Sequence, residues 1–165
     1  MTNIDARQNS RPAGRYAIAV ARFNEPVTQQ LLWGCQRGFM EQGVGAHEVD
    51  VFHVPGALEL PLVCEKLAAK TGAYQAIVAL GAVVRGETYH FEIVSDVCTR
   101  GLMEVNLKHG LPVIVGVITV NDAQQAHARC GEGDDNKGFE AALGAVEMAS
   151  LLKAVADLPV TGRSS

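Results

Sequence analysis

The chain has 165 residues, of which 48% are hydrophobic and 19% charged, with a net charge of −4. That length and composition suit one globular domain with a single sizeable core and argue against disorder. The negative balance and an aromatic content of 5% leave no basic footprint for a nucleic-acid backbone, so no nucleic-acid partner is expected.

In chain order, residues 1–14, "MTNIDARQNSRPAG", are polar and lack the apolar centre of a signal peptide. They are expected to form a flexible or loosely attached arm. The stretch 15–23, "RYAIAVARF", is rich in strand formers and ends at Asn24-Glu25-Pro26. Proline suits a first helical turn, and Val27, Leu31, Cys35 and Phe39 then recur at helical spacing until Gly43 and Gly45 stop the helix. Residues 47–54, "HEVDVFHV", read as a strand, and a helix of about 57–70 follows Pro55-Gly56. The nearly continuous apolar run 75–84 marks a strand buried on both faces. Phe91, Val94, Cys98, Gly101 and Val105 mark one face of a helix of about 89–108. The run 111–120, "LPVIVGVITV", is expected to be a second strand buried on both faces, followed by a short helix near 121–129. A Gly/Asp loop, "CGEGDDNKG", precedes a last helix of about 138–157, and residues 158–165 form a tail. That helix carries a broad apolar band from Ala141 to Val155, wider than one sheet face needs, which fits a subunit contact as well as an internal position.

Strands alternating with helices of this length predict βαβ units. The expected fold is an α/β three-layer sandwich of flavodoxin-like type, with a four- to five-stranded mainly parallel sheet and helices on both faces. Residues 15–157 form its single domain. No apolar run approaches the roughly 20 residues that span a bilayer, so a soluble, cytoplasmic protein with no membrane partner is expected. Cys35, Cys64, Cys98 and Cys130 show neither a CxxC pair nor a histidine at zinc-ligand spacing, and read as small core residues of a reducing compartment. No metal site follows from them.

Ligands of open parallel sheets sit beyond the carboxyl ends of the strands. The strand exits here are Phe23-Asn24, 54–59 ("VPGALE"), 82–90 ("AVVRGETYH") and Thr119 to Asp122. Phe23 is placed to stack on a planar ring, although a phenylalanine there also packs beneath a helix. Pro55-Gly56 allows a close backbone approach, and Glu59 in a first helical turn suits the helix dipole as well as a ligand. At the third exit the amides of Glu87 and Thr88 at a helix start make an anion site, and the Thr88 hydroxyl adds a donor. His90 lies beside it, and an imidazole with an ordinary pKa near ~6.5 passes protons at neutral pH. Arg129 and Lys137 bracket the acidic Gly-rich loop; they are ordinary surface charges unless the ligand carries a phosphate, which Arg grips as a fork and Lys as a point charge. Gly81 and Gly86 have the GxxxxG spacing of a phosphate loop, but Glu87-Thr88 follows where Lys-Ser/Thr belongs. Neither GxSxG nor GxGxxG occurs, so no serine nucleophile and no nucleotide cofactor are suggested.

Five pieces in register, "ARFN" (21–24), "VPGALELP" (54–61), "ALGAVVRGETYHFE" (79–92), "GVITVNDAQQAHAR" (116–129) and "NKGFEAALGAVEM" (136–148), resemble the lumazine synthase family over about residues 15–157. The resemblance implies a transferase that condenses 5-amino-6-(D-ribitylamino)uracil with 3,4-dihydroxy-2-butanone 4-phosphate. The product is 6,7-dimethyl-8-ribityllumazine, with phosphate and water released, the penultimate step of riboflavin biosynthesis. It implies that Phe23 stacks on the pyrimidine and that Ala57, Leu58, Glu59, Ala82, Val83 and Val84 line the ribityl and pyrimidine pocket, with Val115 and Lys137 at its far wall. It further implies that Glu87, Thr88 and Arg129 bind the phosphate, that His90 transfers protons, and that Glu140 occupies a usually acidic position. No cofactor is implied, because imine formation, phosphate elimination and ring closure require positioning and proton transfer.

The implied partners are copies of the chain itself: a pentamer with sites between neighbours, to which Arg129, Lys137 and residue 115 reach across. A functional link to riboflavin synthase is implied as well. The short loop from Gly131 to Asn136 leaves room for closure into a sixty-subunit shell. Val115 and Leu58 stand where aromatics are common in the family, and Glu87 where a small residue is frequent, so the pyrimidine wall is expected to be thinner. A lumazine- or flavin-storing relative would have no use for His90 beside a phosphate grip. A flavodoxin-like FMN carrier would need a Ser/Thr-rich loop where "ARFNEP" stands.

Overall fold

Continuous apolar runs become the inner strands of a parallel sheet. The computed structural model describes residues 4–8 and 11–159; the remainder of the expected N-terminal arm, and of the tail beyond residue 159, lies outside the described residues. Strands β1 (Tyr16–Ala21) and β3 (Ala76–Val84) lie side by side, buried along their length except for a half-exposed Val84. Strand β2 (Val49–Val54) pairs with the free side of β1, and β4 (Val113–Val120) with that of β3. All three pairings are parallel, in the order β2-β1-β3-β4, and Ile18 lies opposite both Val51 and Val78. The chain steps from β1 to one side and returns past it to β3, so the carboxyl ends of β1 and β3 flank the point where strand order reverses. A doubly wound sheet opens its crevice at that point.

Five α-helices cover the two faces: α1 (Glu25–Glu41), α2 (Leu60–Ala68), α3 (His90–His109), α4 (Ala123–Cys130) and α5 (Lys137–Ala156). Alternation along β1 separates two cores. Tyr16, Ile18 and Val20 pack with Leu31, Phe39, Ala142 and Ala145 beneath α1 and α5. Ala17, Ala19 and Ala21 pack with Leu60, Cys64, Cys98 and Leu102 beneath α2 and α3. All four cysteines are buried and free, three of them within these strand-facing helices, as small core residues should be.

The elements follow the expected order, with three informative differences. The second strand begins at Val49, because Ala46–Glu48 forms a 3-10 turn in which the Glu48 carboxylate accepts from the Gly45 amide at 2.8 Å. Val49 and Val51 join one core, whereas Phe52 and Val54 face the other, so β2 does not alternate apolar with polar. The helix expected from residue 57 starts as a 3-10 turn over Ala57–Glu59 and becomes regular α2 only at Leu60, next to Pro61, which has no amide hydrogen to donate. Strand β4, expected to be buried on both faces, is an edge strand: Ile114, Val115 and Val117 are half-exposed and Thr119 is exposed. Among the described residues no strand lies beyond β4, so an apolar sequence suited to the interior lies uncovered.

Helix α1 stops where Gly43 takes φ 74°, a left-handed conformation that costs glycine little, with its amide donating to the Met40 carbonyl at 2.9 Å. The described part of the N-terminal region is tied to this corner: the Arg11 guanidinium donates to the Gly43 carbonyl and to Glu48, each at 2.8 Å. Among the described residues no helix is long and apolar enough to cross a membrane.

Helices α1 and α5 cross with their backbones close together. A Cβ on Gly138 would fall 1.9 Å from the Leu31 carbonyl oxygen, and one on Gly34 would fall 2.2 Å from Asn136 Oδ1. Asn136, fully buried, fills that crossing. Its Oδ1 accepts from the Gly138 and Phe139 amides, at 2.8 and 3.2 Å. Its Nδ2 donates to the carbonyls of Gln30 and Gly131, at 3.1 and 2.8 Å. All four hydrogen-bonding positions of the amide are used, so helix cap, loop and α1 are held by one side chain. Asn136→Ala should therefore lower unfolding stability by about 3 kcal/mol, more than loss of a helix cap alone. Asn136→Asp should also destabilise, since its carboxylate would face two carbonyls. Equal denaturation midpoints for Asn136→Asp and the parent would show that only the cap matters.

Candidate functional site

The first strand does not end cleanly; it hands its backbone to the next turn. The Arg22 amide donates to the Val54 carbonyl at 2.9 Å and the Phe23 amide to the Pro55 carbonyl at 3.0 Å, which locks Phe23 beside the 54–56 turn. Asn24 then adopts the left-handed region, φ 60°, a conformation asparagine tolerates better than most residues. Its side-chain amide donates to the Ala82 carbonyl at 2.8 Å, joining the exits of β1 and β3. Phe23 is left projecting from the surface, 72% exposed, with no apolar residue stacked over it.

These constraints frame a cleft of about 290 Å³ beyond the strand ends. Phe23 and Asn24 form one side, Gly56 to Glu59 a second, and Ala82, Val83 and Val84 the floor. Gly86, Thr88, His90, Phe91 and Val94 close it from the turn and first helical turns of α3. The walls are largely apolar, with a carboxylate, a hydroxyl and an imidazole at the rim, a composition suited to a flat polar ring carrying a hydroxylated chain. Sequence reasoning had placed Phe23, Ala57, Leu58, Glu59, Ala82, Val83, Val84, Thr88 and His90 in one site, and the fold brings all nine together. Glu87 stands in the same exposed turn, but it is not among the residues lining the cleft.

The turn from Arg85 to Tyr89 is exposed throughout, and α3 begins at His90 rather than at Tyr89. No side chain caps this helix. The His90 amide reaches Thr88 Oγ1 only at 3.5 Å, the outer limit of a hydrogen bond. Among the described residues the amides of 86–89 donate to no backbone carbonyl, and they lie next to the positive end of a 20-residue helix.

The other expected residues stand elsewhere. Val115, Arg129, Lys137 and Glu140 line a groove of about 400 Å³ along the outer edge of β4, together with residues 114 and 116–119 and Ala141. The groove shares no lining residue with the cleft. Arg129 comes from α4, whose N-terminus is capped by Asp122 accepting from the Gln125 amide at 2.8 Å. The guanidinium donates to the Gln125 carbonyl at 3.0 Å, and the Lys137 ammonium pairs with Glu140 at 2.7 Å. Both cations thus rest against their own helices, within reach of the groove.

Asn24, Gly86, Phe91 and Val94 belong to the cleft but were not singled out from the sequence as site residues. Asn24 carried a usable signal: an asparagine between a strand end and Glu-Pro suits a left-handed helix cap. Phe91 and Val94 had been read only as the buried face of α3, and periodicity does not tell a helix face turned to the core from one that also borders a cleft.

Burial pushes the Cys64 thiol up to about 12 and the Cys98 thiol to about 11, and raises those of Cys35 and Cys130. At neutral pH all four stay protonated, which makes them poor nucleophiles. Among the described residues no group of three or more His, Cys, Asp or Glu side chains is arranged to hold a metal ion.

Comparison with known families agrees with the fold. A family model described as 6,7-dimethyl-8-ribityllumazine synthase matches residues 13–153, which include all four strands and every residue of both clefts. The chain therefore belongs to the 6,7-dimethyl-8-ribityllumazine synthase family, the transferases that catalyse the penultimate step of riboflavin biosynthesis.

Proposed function

We propose that the cleft at the β1/β3 exits and the groove along β4 are two halves of one active site, brought together when copies of the chain assemble. The observation that carries this reading is their separation within the chain. The proton-transfer candidate His90 lines one depression, and the phosphate-gripping candidates Arg129 and Lys137 line the other. The half-exposed apolar residues of β4 support it, because a neighbour's cleft laid against that edge would cover what the single chain leaves open. Met148, Leu152 and Val155 on α5 are also left exposed, at 37%, 37% and 50%, although their spacing makes an apolar band. A ring of five, with a sixty-subunit shell as a further stage, is the assembly we favour.

In the joined site Phe23 stacks on the pyrimidine of 5-amino-6-(D-ribitylamino)uracil, and Ala82 to Val84 support the ring from below. Glu59 accepts from ribityl hydroxyls. Leu58 packs alongside, and Val115 closes the wall from the neighbouring copy. Being aliphatic and short, Val115 leaves more of the ring face uncovered than an aromatic would. The butanone phosphate places its anion against the Glu87 and Thr88 amides, where Arg129 supplies the bidentate grip and Lys137 a second positive charge. Arg129 donates one guanidinium hydrogen to the Gln125 carbonyl and keeps others for the phosphate, whereas Lys137 has to turn from the Glu140 carboxylate.

His90 then moves protons as the amine of the pyrimidine adds to the ketone and phosphate departs. Holding the two substrates in register converts an encounter into an internal reaction, and proton transfer by a positioned imidazole contributes typically ~10²–10⁴ in rate. The substrate phosphate also explains why a chain of negative net charge gathers cations and free amides at these two places.

Mixing protein with both substrates and following lumazine formation tests the activity, with the uncatalysed reaction as reference. His90→Ala should slow turnover about 10²-fold with the assembly intact in sedimentation. Arg129→Ala should chiefly raise KM for the phosphate substrate, and an effect confined to the pyrimidine substrate would remove it from the proposed position. Co-expressing the two variants gives the sharper test of the shared site. If sites form between copies, statistical mixing leaves about one site in four with both groups intact, and activity recovers above either variant alone. No recovery in proven mixed assemblies would place the whole site within one chain.

A further inference from the structure

Arg85 is the first residue beyond β3, and it is bonded on three sides. Its amide donates to the Val120 carbonyl at 2.8 Å, adding one step to the β3/β4 pairing. Its Nε donates to Asn121 Oδ1 at 3.0 Å, and its Nη1 pairs with Glu92 Oε1 in the first turn of α3. The guanidinium also lies over the Phe91 ring, 4.2 Å from its centroid, in cation–π geometry.

The bridge from Arg85 to Glu92 spans seven residue steps and fastens both ends of the segment that carries Gly86, Thr88 and His90. Within the segment itself little holds shape: α3 has no side-chain cap and the His90–Thr88 contact is long. Glu92 is held well below the usual carboxylate range, chiefly by the Arg85 hydrogen bond. Its second oxygen, Oε2, is shielded from solvent and has no hydrogen-bond partner among the described residues. Arg85 is therefore the partner on which that carboxylate depends.

The same side chain reaches the other half-site. Asn121 accepts from Arg85, and its amide donates to Gln125 Oε1 at 2.9 Å. The Gln125 carbonyl in turn accepts from Arg129 at 3.0 Å. Three hydrogen bonds, relayed through Asn121 and Gln125, thus join Arg85 to Arg129.

We infer that Arg85 is a positioning residue for the phosphate step: it closes the 86–90 turn at a fixed shape so that the Thr88 amide and the His90 imidazole meet the substrate together. The inference rests on the proposed reading of the two clefts. Arg85 does not line the cleft, so it acts through the turn rather than on the substrate. Lysine would retain the charge but lose the planar fork that meets Asn121, Glu92 and Phe91 at once.

The test compares Arg85→Ala, Arg85→Lys and the double variant Arg85→Ala/Glu92→Gln, the last removing the carboxylate that the first leaves stranded. In the assembled protein, Arg85→Ala should raise KM for the butanone phosphate about tenfold and lower kcat about tenfold, with KM for the pyrimidine unchanged. Arg85→Lys should fall between it and the parent. Amide exchange over residues 86–92, followed by mass spectrometry, should quicken about tenfold or more in Arg85→Ala while β3 keeps its protection. The double variant should regain thermal stability without regaining the kinetics. Unchanged kinetics in an active parent, or equal losses for both substrates with recovery in the double variant, would overturn the positioning role. A parent inactive on the two substrates would defeat the proposed function instead. In that case amide exchange still decides whether Arg85 holds the turn, and unchanged exchange would refute it.

Discussion

Everything on the α1/α5 side of the sheet depends on the buried amide of Asn136. Helix α5 begins one residue later, so whatever fixes Asn136 also fixes Lys137 and, one turn on, Glu140. A close helix crossing needs small residues, and Gly34, Gly38 and Gly138 supply them; it also needs the polar groups it buries to be paired. Asn136 meets the second need with two donors and two acceptors in use. Arg37 secures the loop in front from outside, donating to Gly133 and Asp134 while lying over the Phe139 ring. A loop of six residues is thereby given a defined exit angle, and the β4 groove acquires a rigid wall.

The opposite wall of the chemistry comes from a different constraint, the reversal of strand order between β1 and β3. Backbone hydrogen bonds from Arg22 and Phe23 to the 54–56 turn, and the Asn24 side chain on Ala82, tie three strand exits into one frame. Neither wall faces the other within a chain, because β4 stands at the edge of the sheet. The family places this chain among enzymes that assemble, and its surface is consistent with that: apolar side chains remain open where a single chain has nothing to cover them. In the proposed reading, folding is completed within the chain and the site between chains.

Much of this was legible in the residues, and the exceptions have physical causes. Two-sided apolar runs located β3 well because an inner strand of a parallel sheet is buried by its own chain. The same signal over 111–120 was read as a strand buried on both faces, yet β4 is an edge, because hydrophobicity does not say what would provide the burial. The 3-10 starts of β2 and α2 lay beyond periodicity, being set by a carboxylate-to-amide bond at Gly45 and by Pro61. Strand exits pointed to Phe23, Glu59, Thr88 and His90, which line one cleft. Arg129 and Lys137 could not be joined to them by spacing, since the connection runs through a second copy if the proposed assembly holds. Arg85 received no role from the sequence, because its partner Asn121 becomes a neighbour only after β3 and β4 pair.

Among the described helices α4 and α5 carry side-chain caps, whereas α1, α2 and α3 do not. Helix α4 is capped by Asp122 and α5 by Asn136, so their first amides are satisfied within the protein. Helix α3, equally long as α5, has Tyr89 at its cap position and no side-chain acceptor. An uncapped start forgoes about 1 kcal/mol relative to a good cap. Ser, Asp or Asn at residue 89 would recover that energy through the Phe91 or Glu92 amide. The amides proposed to hold the substrate phosphate, those of Glu87 and Thr88, lie ahead of the cap and would stay available to it. The clamp at Arg85 acts on that stretch instead, because it ties residue 85 to residue 92 across the turn.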